Sequence, residues 1–343
     1  MSRDGQIQDF LGRHTSLSIS QQKPQAWRRI RYLRENEGHA PPLVLAVGDR
    51  RRVHAITHRL KDPVLLSETA ARLSNPELSS RELLSAVEFG RVAMAIGTYK
   101  AAPILVVETQ MGAPATQIIM NEILSDQLTS NEYRVGSRRI ALRHKAVIRV
   151  GTAGGINCEN CSVIRPGDVV NATHSIGATG ATMQALARLD FWNPGAYDEF
   201  QRKWKSLGSA FTITREGHPR VECSSGVVGA IRKAGTLFAK KIYHEGGNVT
   251  KDSLYAERSE DIFLDLCRTE NCRTTEMELS TVAVSAHQRR ALFGMISAIV
   301  GVLPGSSFAE NPGTRRAAEE RAVRIGLESL ASFQNDSSDY SES

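Results

Sequence analysis

Short continuous apolar runs, separated by stretches of helical period, organise this chain from residue 43 onward. Leu43–Val47 (LVLAV) has the length and unbroken apolarity of a strand buried on both faces. Val92–Ile96, Ile104–Val107, Val147–Val150, Val169–Val170 and Met295–Val302 read the same way. Helical spacing fills Arg50–Leu60, Thr116–Leu128, Ser225–Phe238, Met277–Gln288 and Thr314–Leu330. Buried strands alternating with helices predict an α/β sheet covered on both sides, a three-layer arrangement. No internal repeat is visible. The longest uncharged apolar run, Ala291 to Leu303, has 13 residues. A membrane-spanning helix needs roughly 20, so this run is read as a buried strand and its approach.

The two ends have a different texture. Residues 1–40 hold one candidate helix, Gln21–Glu35, and no strong strand. Residues 1–35 carry seven basic and three acidic side chains, much of the chain's net +6. A basic arm can bind nucleic acid or an acidic surface. No zinc-finger spacing or aromatic RNA-reading pattern accompanies it, so a solvated, partly ordered extension is the plainer expectation, with neither nucleic acid nor membrane as partner. Pro41-Pro42 opens a single catalytic domain expected over 41–332. The ending NDSSDYSES carries three acids and no base, and 333–343 is expected to be a disordered acidic tail.

Composition narrows the class. Of 343 residues, 41% are hydrophobic and 23% charged, enough for a sizeable core. Five cysteines are too few for a disulfide scaffold and suit a reducing compartment. The start, MSRDGQIQDF, has no apolar stretch able to act as a secretory signal, so the expected location is cytoplasmic. Cys158 and Cys161 have C-x-x-C spacing, but Cys267 and Cys272 supply no second pair. Ordinary loop thiols are the expectation, and no metal is called for.

In open α/β sheets, ligands bind where strands end and loops begin. Three such segments carry chemistry. In Val47-Gly48-Asp49-Arg50-Arg51-Arg52, a glycine directly after a strand lets backbone N–H groups approach an anion, and arginines follow on the next turn. A solvated basic helix start would look the same. In Ile148-Arg149-Val150-Gly151-Thr152-Ala153-Gly154-Gly155, an arginine inside an apolar strand is expensive unless it meets an anion. The glycines open a turn there, and the Thr152 hydroxyl can donate to an oxyanion. Neither a phosphate-binding P-loop nor a dinucleotide fingerprint is matched. In Thr275-Glu276-Met277-Glu278-Leu279, two carboxylates precede a helix-period stretch. They either favour the helix dipole or accept hydrogen bonds from a vicinal diol.

Together, in this order, these segments resemble the nucleoside phosphorylase superfamily, in its uridine phosphorylase-like branch. The resemblance runs from about Pro42 to Leu330 through VGDRRRV, GTYK (Gly97–Lys100), TQMGAP (Thr109–Pro114), RVGTAGGI, RPGDVV (Arg165–Val170), NVTKDSLY (Asn248–Tyr255) and TEMELST. It implies one α/β domain with a twisted, mixed sheet closing partly into a barrel, and a homodimer as the smallest active unit. It implies a pentosyltransferase that joins inorganic phosphate, a co-substrate and not a cofactor, to the ribose of a nucleoside in nucleotide salvage. By position, Gly48, Arg52, Arg149 and Thr152 match the phosphate site, with Arg91 as the arginine lent by a neighbouring subunit. Glu276, Met277 and Glu278 match the ribose contacts, joined by His39 from the partner near the ribose 5′-hydroxyl. Ala153 and Gly154 would lie beside the base. Arg149, Glu278 and Arg258 would carry the catalysis.

The base is the open point. Purine enzymes of the hexameric branch have an aspartate just after the strand matching Ile296–Val302, where this chain reads Val302-Leu303-Pro304-Gly305-Ser306. Uridine phosphorylases place a Gln and an Arg beyond the segment matching Asp252–Tyr255. Here Arg258 can donate to a uracil carbonyl, and no Gln is present. Phosphorolysis of a pyrimidine nucleoside, uridine first, is the leading expectation. A purine or methylthioadenosine phosphorylase or hydrolase is the alternative within the class, and a non-catalytic nucleoside binder the alternative outside it.

Overall fold

The structure is a computed structural model and describes residues 35–36, 39–65, 92–126, 128–135, 137–157, 162–187, 195–252, 260–304, 307–308, 311–336 and 338–339. Most of the Gln21–Glu35 helix and the Cys158–Cys161 pair lie outside the described residues. The chain divides into two compact units. The first takes Met1–Gln110, Ile118–Lys145 and Leu330–Ser343; the second takes Met111–Gln117 and Ala146–Ser329.

In the first unit, β1 (Leu43–Val47), β2 (Lys61–Leu65), β3 (Met94–Tyr99) and β4 (Ala102–Glu108) run in the order β1-β4-β3-β2. All of β1 and β4 is buried, as continuous apolar runs require. β1 and β4 are parallel, with Leu43 opposite Ile104 and Val47 opposite Glu108. β3 and β4 form an antiparallel hairpin around Lys100 and Ala101, both at positive φ. Two positive-φ residues match the right-handed twist of the strands they join. Gly97 is needed for packing, because a β-carbon there would stand 2.7 Å from Leu60 Cβ. A small second sheet pairs β5 (Glu132–Val135) and β6 (Arg138–Ala141) with the two-residue strand Ser338–Asp339.

The second unit contains β7 (its Ala146–Ile156 part), β8 (Val169–Ile176), β9 (Phe211–Ile213), β10 (Pro219–Glu222), β11 (Tyr243–Thr250), β12 (Cys272–Glu276), β13 (Ala291–Leu303) and β14 (Ser307–Phe308). β13, β8, β11, β12 and β7 are neighbours in that order, and β7 also pairs with β13. Five strands thus close into a barrel-like ring. β8, β11 and β12 are parallel, while β7 and β13 run antiparallel to β12 and β8. The sheet is mixed and partly closed, as expected. Ala153, Ile164, Val170, Ile299 and Val302 form one buried apolar cluster, and Ile156, Ile176, Val249, Cys267 and Cys272 another, against which Phe263, Leu264 and Leu266 of the helix Glu260–Thr269 pack. The helices Ser225–Ala239 and Leu279–Gln288 bury their apolar faces on this side of the chain.

Gly177 ends β8 at φ +92, and a β-carbon there would meet the Thr250 carbonyl oxygen at 2.5 Å. That neighbour is strand backbone and cannot swing aside. Gly177→Ala is therefore expected to lower the unfolding free energy by about 2 kcal/mol or more, from the left-handed conformation and the overlap together. Urea denaturation measures this, and an unchanged midpoint would show that β8 and β11 separate more easily than their register implies.

Candidate active site

Arg149 lies in the middle of β7 and is only 3% exposed. A guanidinium cannot shed its charge there, so it must be paired. Its Nη2 donates to Glu278 Oε2 at 2.6 Å, and its Nε stands 3.9 Å from Glu276 Oε2. Both carboxylates are buried too. Gly151 lies against the guanidinium: a β-carbon at that position would stand 3.7 Å from Nη2, in ordinary contact.

The carboxylates stand on either side of a strand-to-helix junction. Glu276 is the last residue of β12, and Glu278 is the N-cap of the helix Leu279–Gln288. Glu276 Oε1 accepts from Asn248 Nδ2 at 2.7 Å, Thr250 Oγ1 at 2.8 Å and the Leu279 amide at 3.2 Å. Its Oε2 accepts from the amides of Glu278 at 2.7 Å and Leu279 at 3.0 Å. Glu278 holds fewer partners. Its Oε1 accepts from the Gly112 amide at 2.7 Å, and its Oε2 from Arg149. Gly112 sits at φ +87 in the TQMGAP turn, a conformation suited to glycine.

Burial and the Glu278 charge push the Glu276 carboxyl up to about 7, against the pull of Arg149 and of its hydrogen-bond donors. Burial also acts upward on Glu278, but the Arg149 charge and the Gly112 amide outweigh it and hold that carboxyl below its ordinary value. The result is a buried cation shared by two acids, with Glu278 the firmly ionised one.

The structure brings Arg149, Glu276 and Glu278 together, with the arginine paired to the acids themselves. No turn opens where the glycines suggested one: β7 continues through Thr152, Ala153 and Gly154 to Ile156, with Gly154 paired to Thr275 on β12, Ala153 buried and Thr152 half-buried. Met277 is half-buried between the acids in sequence. Gly48, Arg52 and His39 belong to the first unit. There Asp49 caps the helix Arg50–Thr57 by accepting from the Arg52 amide, and its carboxylate lies 3.2 Å from Arg52 Nε. His39 Nδ1 stands 3.1 Å from the Asn36 carbonyl oxygen. Arg91 and Arg258 lie outside the described residues. Gly112, Asn248 and Thr250 also belong to the site, though residue type alone does not mark them. All three sit in shared motifs, TQMGAP and NVTKDSLY, and that was the available signal.

The model of the phosphorylase superfamily matches residues 64–331. The chain belongs to this superfamily. The match contains every residue of the Gly112–Arg149–Glu276–Glu278 cluster. Solved structures of superfamily enzymes share the fold. A purine nucleoside phosphorylase from Toxoplasma gondii in complex with immucillin-H is 18% identical with a TM-score of 0.57, over 88% of this chain and 94% of that one. A uridine phosphorylase from Vibrio fischeri ES114 is 20% identical with a TM-score of 0.55, over 87% and 93%. A 5′-methylthioadenosine/S-adenosylhomocysteine nucleosidase from Neisseria meningitidis is 14% identical with a TM-score of 0.52, over 84% and 98%. No curated protein sequence matches the chain. Among the described residues, no helix is long and apolar enough to cross a membrane.

Proposed function

We propose that the protein is a nucleoside phosphorylase acting on a pyrimidine nucleoside, uridine first, to give the free base and ribose 1-phosphate. The observation that carries this reading is the buried bond between Arg149 and Glu278, closed on its far side by the Gly112 amide. One residue of that pair can hold an anion and the other a diol, at neighbouring positions, as transfer of ribose to phosphate needs.

Phosphate oxygen attacks C1′ while the C1′–N bond to the base breaks. Positive charge grows on the sugar ring, as in other glycosyl transfers. Arg149 and the Thr152 hydroxyl donate to the phosphate. Glu278 accepts from the ribose hydroxyls and presents C1′ to the attacking oxygen, which is catalysis by positioning. The base leaves with the bonding pair, and Arg258 donates to a uracil carbonyl as negative charge develops there. No acid follows β13 within Pro304–Ser306, so a purine N7 would lack a proton donor from that segment. The working form is read as a homodimer, with Arg91 and His39 supplied by the partner.

A panel of uridine, thymidine, inosine, adenosine and methylthioadenosine, incubated with and without inorganic phosphate and scored for free base, tests this. Phosphate-dependent release of uracil is expected. Release of adenine or hypoxanthine alone would move the protein to the purine branch, and release without phosphate would make it a hydrolase. No release from any member would leave a nucleoside binder.

A further inference from the structure

We propose that Glu276 is a positioning residue and not a ribose ligand: its carboxylate caps the helix Leu279–Gln288 and thereby fixes where the Glu278 carboxylate stands. The proposal rests on the reading of Glu278 as the ribose contact.

The first argument is acceptor capacity. A carboxylate offers about four lone-pair directions. Glu276 takes five hydrogen bonds from four groups: Asn248, Thr250 and the amides of Glu278 and Leu279. Nothing is left for a sugar hydroxyl. Glu278 has one donor on each oxygen and keeps room on both. The two acids of the same short motif therefore have different employment.

The second argument is the helix terminus. The first amides of a helix have no partner within it and need an acceptor from outside. The N-cap side chain usually supplies one. Here the N-cap is Glu278, and its side chain makes no capping bond. Glu276 takes the amides of Glu278 and Leu279 instead, and Thr250 Oγ1 takes that of Ser280 at 3.2 Å. Glu278 is thus relieved of capping and can turn toward Arg149 and Gly112.

The third argument is rigidity. Glu276 is held by a fully buried polar lattice across three strands. Asn248 Oδ1 accepts from Thr274 Oγ1 at 3.0 Å, and Thr250 Oγ1 lies 2.8 Å from Ser175 Oγ. A cap anchored in this way fixes the backbone of residue 278, and the side chain follows.

Glu276→Gln tests the idea, because its amide nitrogen is a donor facing donors whichever way it turns. Hydrogen exchange of the peptide spanning Glu278 to Val282 is expected to accelerate about tenfold or more, since exchange reports local opening. Turnover is expected to fall ~10–100-fold, the scale of a misplaced reacting group. Phosphate affinity should stay within about threefold of wild type. A residue acting through Glu278 should add little once Glu278 is disabled, so E276Q should lower the turnover of E278Q by less than about threefold. If E276Q fails to fold, E276D keeps the charge, shortens the reach by one methylene, and is expected to give the same signature. Unchanged exchange, or a full multiplicative loss in the double variant, would overturn the proposal. A wild-type protein that releases no base would instead remove the proposed function, and the exchange measurement would still decide the role of Glu276.

Discussion

Arg149→Ala is expected to raise the phosphate KM by about 10–100-fold, because a charge-assisted contact worth ~1.5–3 kcal/mol is lost even in the ground state. Stability is expected to fall as well. Arg149 is the cation shared by two buried acids, one bonded at 2.6 Å and one 3.9 Å away. Removing one member of a buried pair leaves uncompensated charge and costs roughly 3–5 kcal/mol. Glu278 should respond by titrating at higher pH, since the Arg149 charge is part of what depresses it. Phosphate should also protect the variant less against heat than it protects wild type. Steady-state kinetics with varied phosphate, calorimetric binding and thermal melts read these effects. A variant that is destabilised yet binds phosphate normally would show that Arg149 serves only the two acids.

Glu278→Gln is expected to fail in the opposite way. It keeps the size of the side chain and one acceptor. It loses the charge that strengthens bonds to the sugar as the ring becomes cationic. An interaction felt mainly in the transition state appears in kcat, so turnover should fall by about one or more orders of magnitude with phosphate affinity nearly unchanged. A stability loss of about 1–3 kcal/mol should accompany it. The new amide nitrogen must face either the Gly112 amide or Arg149 Nη2, both donors, and one buried bond goes unmade. Kinetics with varied nucleoside, paired with urea midpoints, separate the two effects. Normal turnover in a destabilised variant would remove Glu278 from the chemistry.

The sequence was most legible where burial is apolar. Leu43–Val47 has the same bounds in both readings, and the apolar run Ala291–Leu303 is the whole of β13. The helix expected at Ser225–Phe238 is found at Ser225–Ala239. β11 and β12 carry no such apolar signal, although the last five residues of β11 and all of β12 are buried. Their interior is a lattice of Asn248, Thr250, Thr274 and Glu276, so no hydrophobic period marks them. The helix Ala196–Ser206 is faint in the sequence for a related reason. Charged residues surround its buried Phe200 and Trp204, and two apolar positions four apart make a weak stripe. The site's acids were visible by motif. Their division of labour was not, because it depends on hydrogen bonds arriving from another strand and from the turn at Gly112. Glu276 was expected on a helical first turn or against a sugar, and it is found at a strand end beneath the helix it caps.

The segmented make-up of the first unit has a consequence for biosynthesis. Its small sheet takes β5 and β6 from neighbouring positions, but its third strand, Ser338–Asp339, comes only after the whole of the second unit has been translated. At ribosomal speeds of about 5–20 residues per second, the interval between Ala141 and Ser338 is on the order of 10–40 s. The second unit, its earlier piece Met111–Gln117 included, is complete in sequence by Ser329. All five strands of the ring are thus synthesised before the strand that pairs with the free edge of β6. An exposed edge is a template for intermolecular pairing. The solubility of the newly made protein should then depend on how soon its last strand arrives.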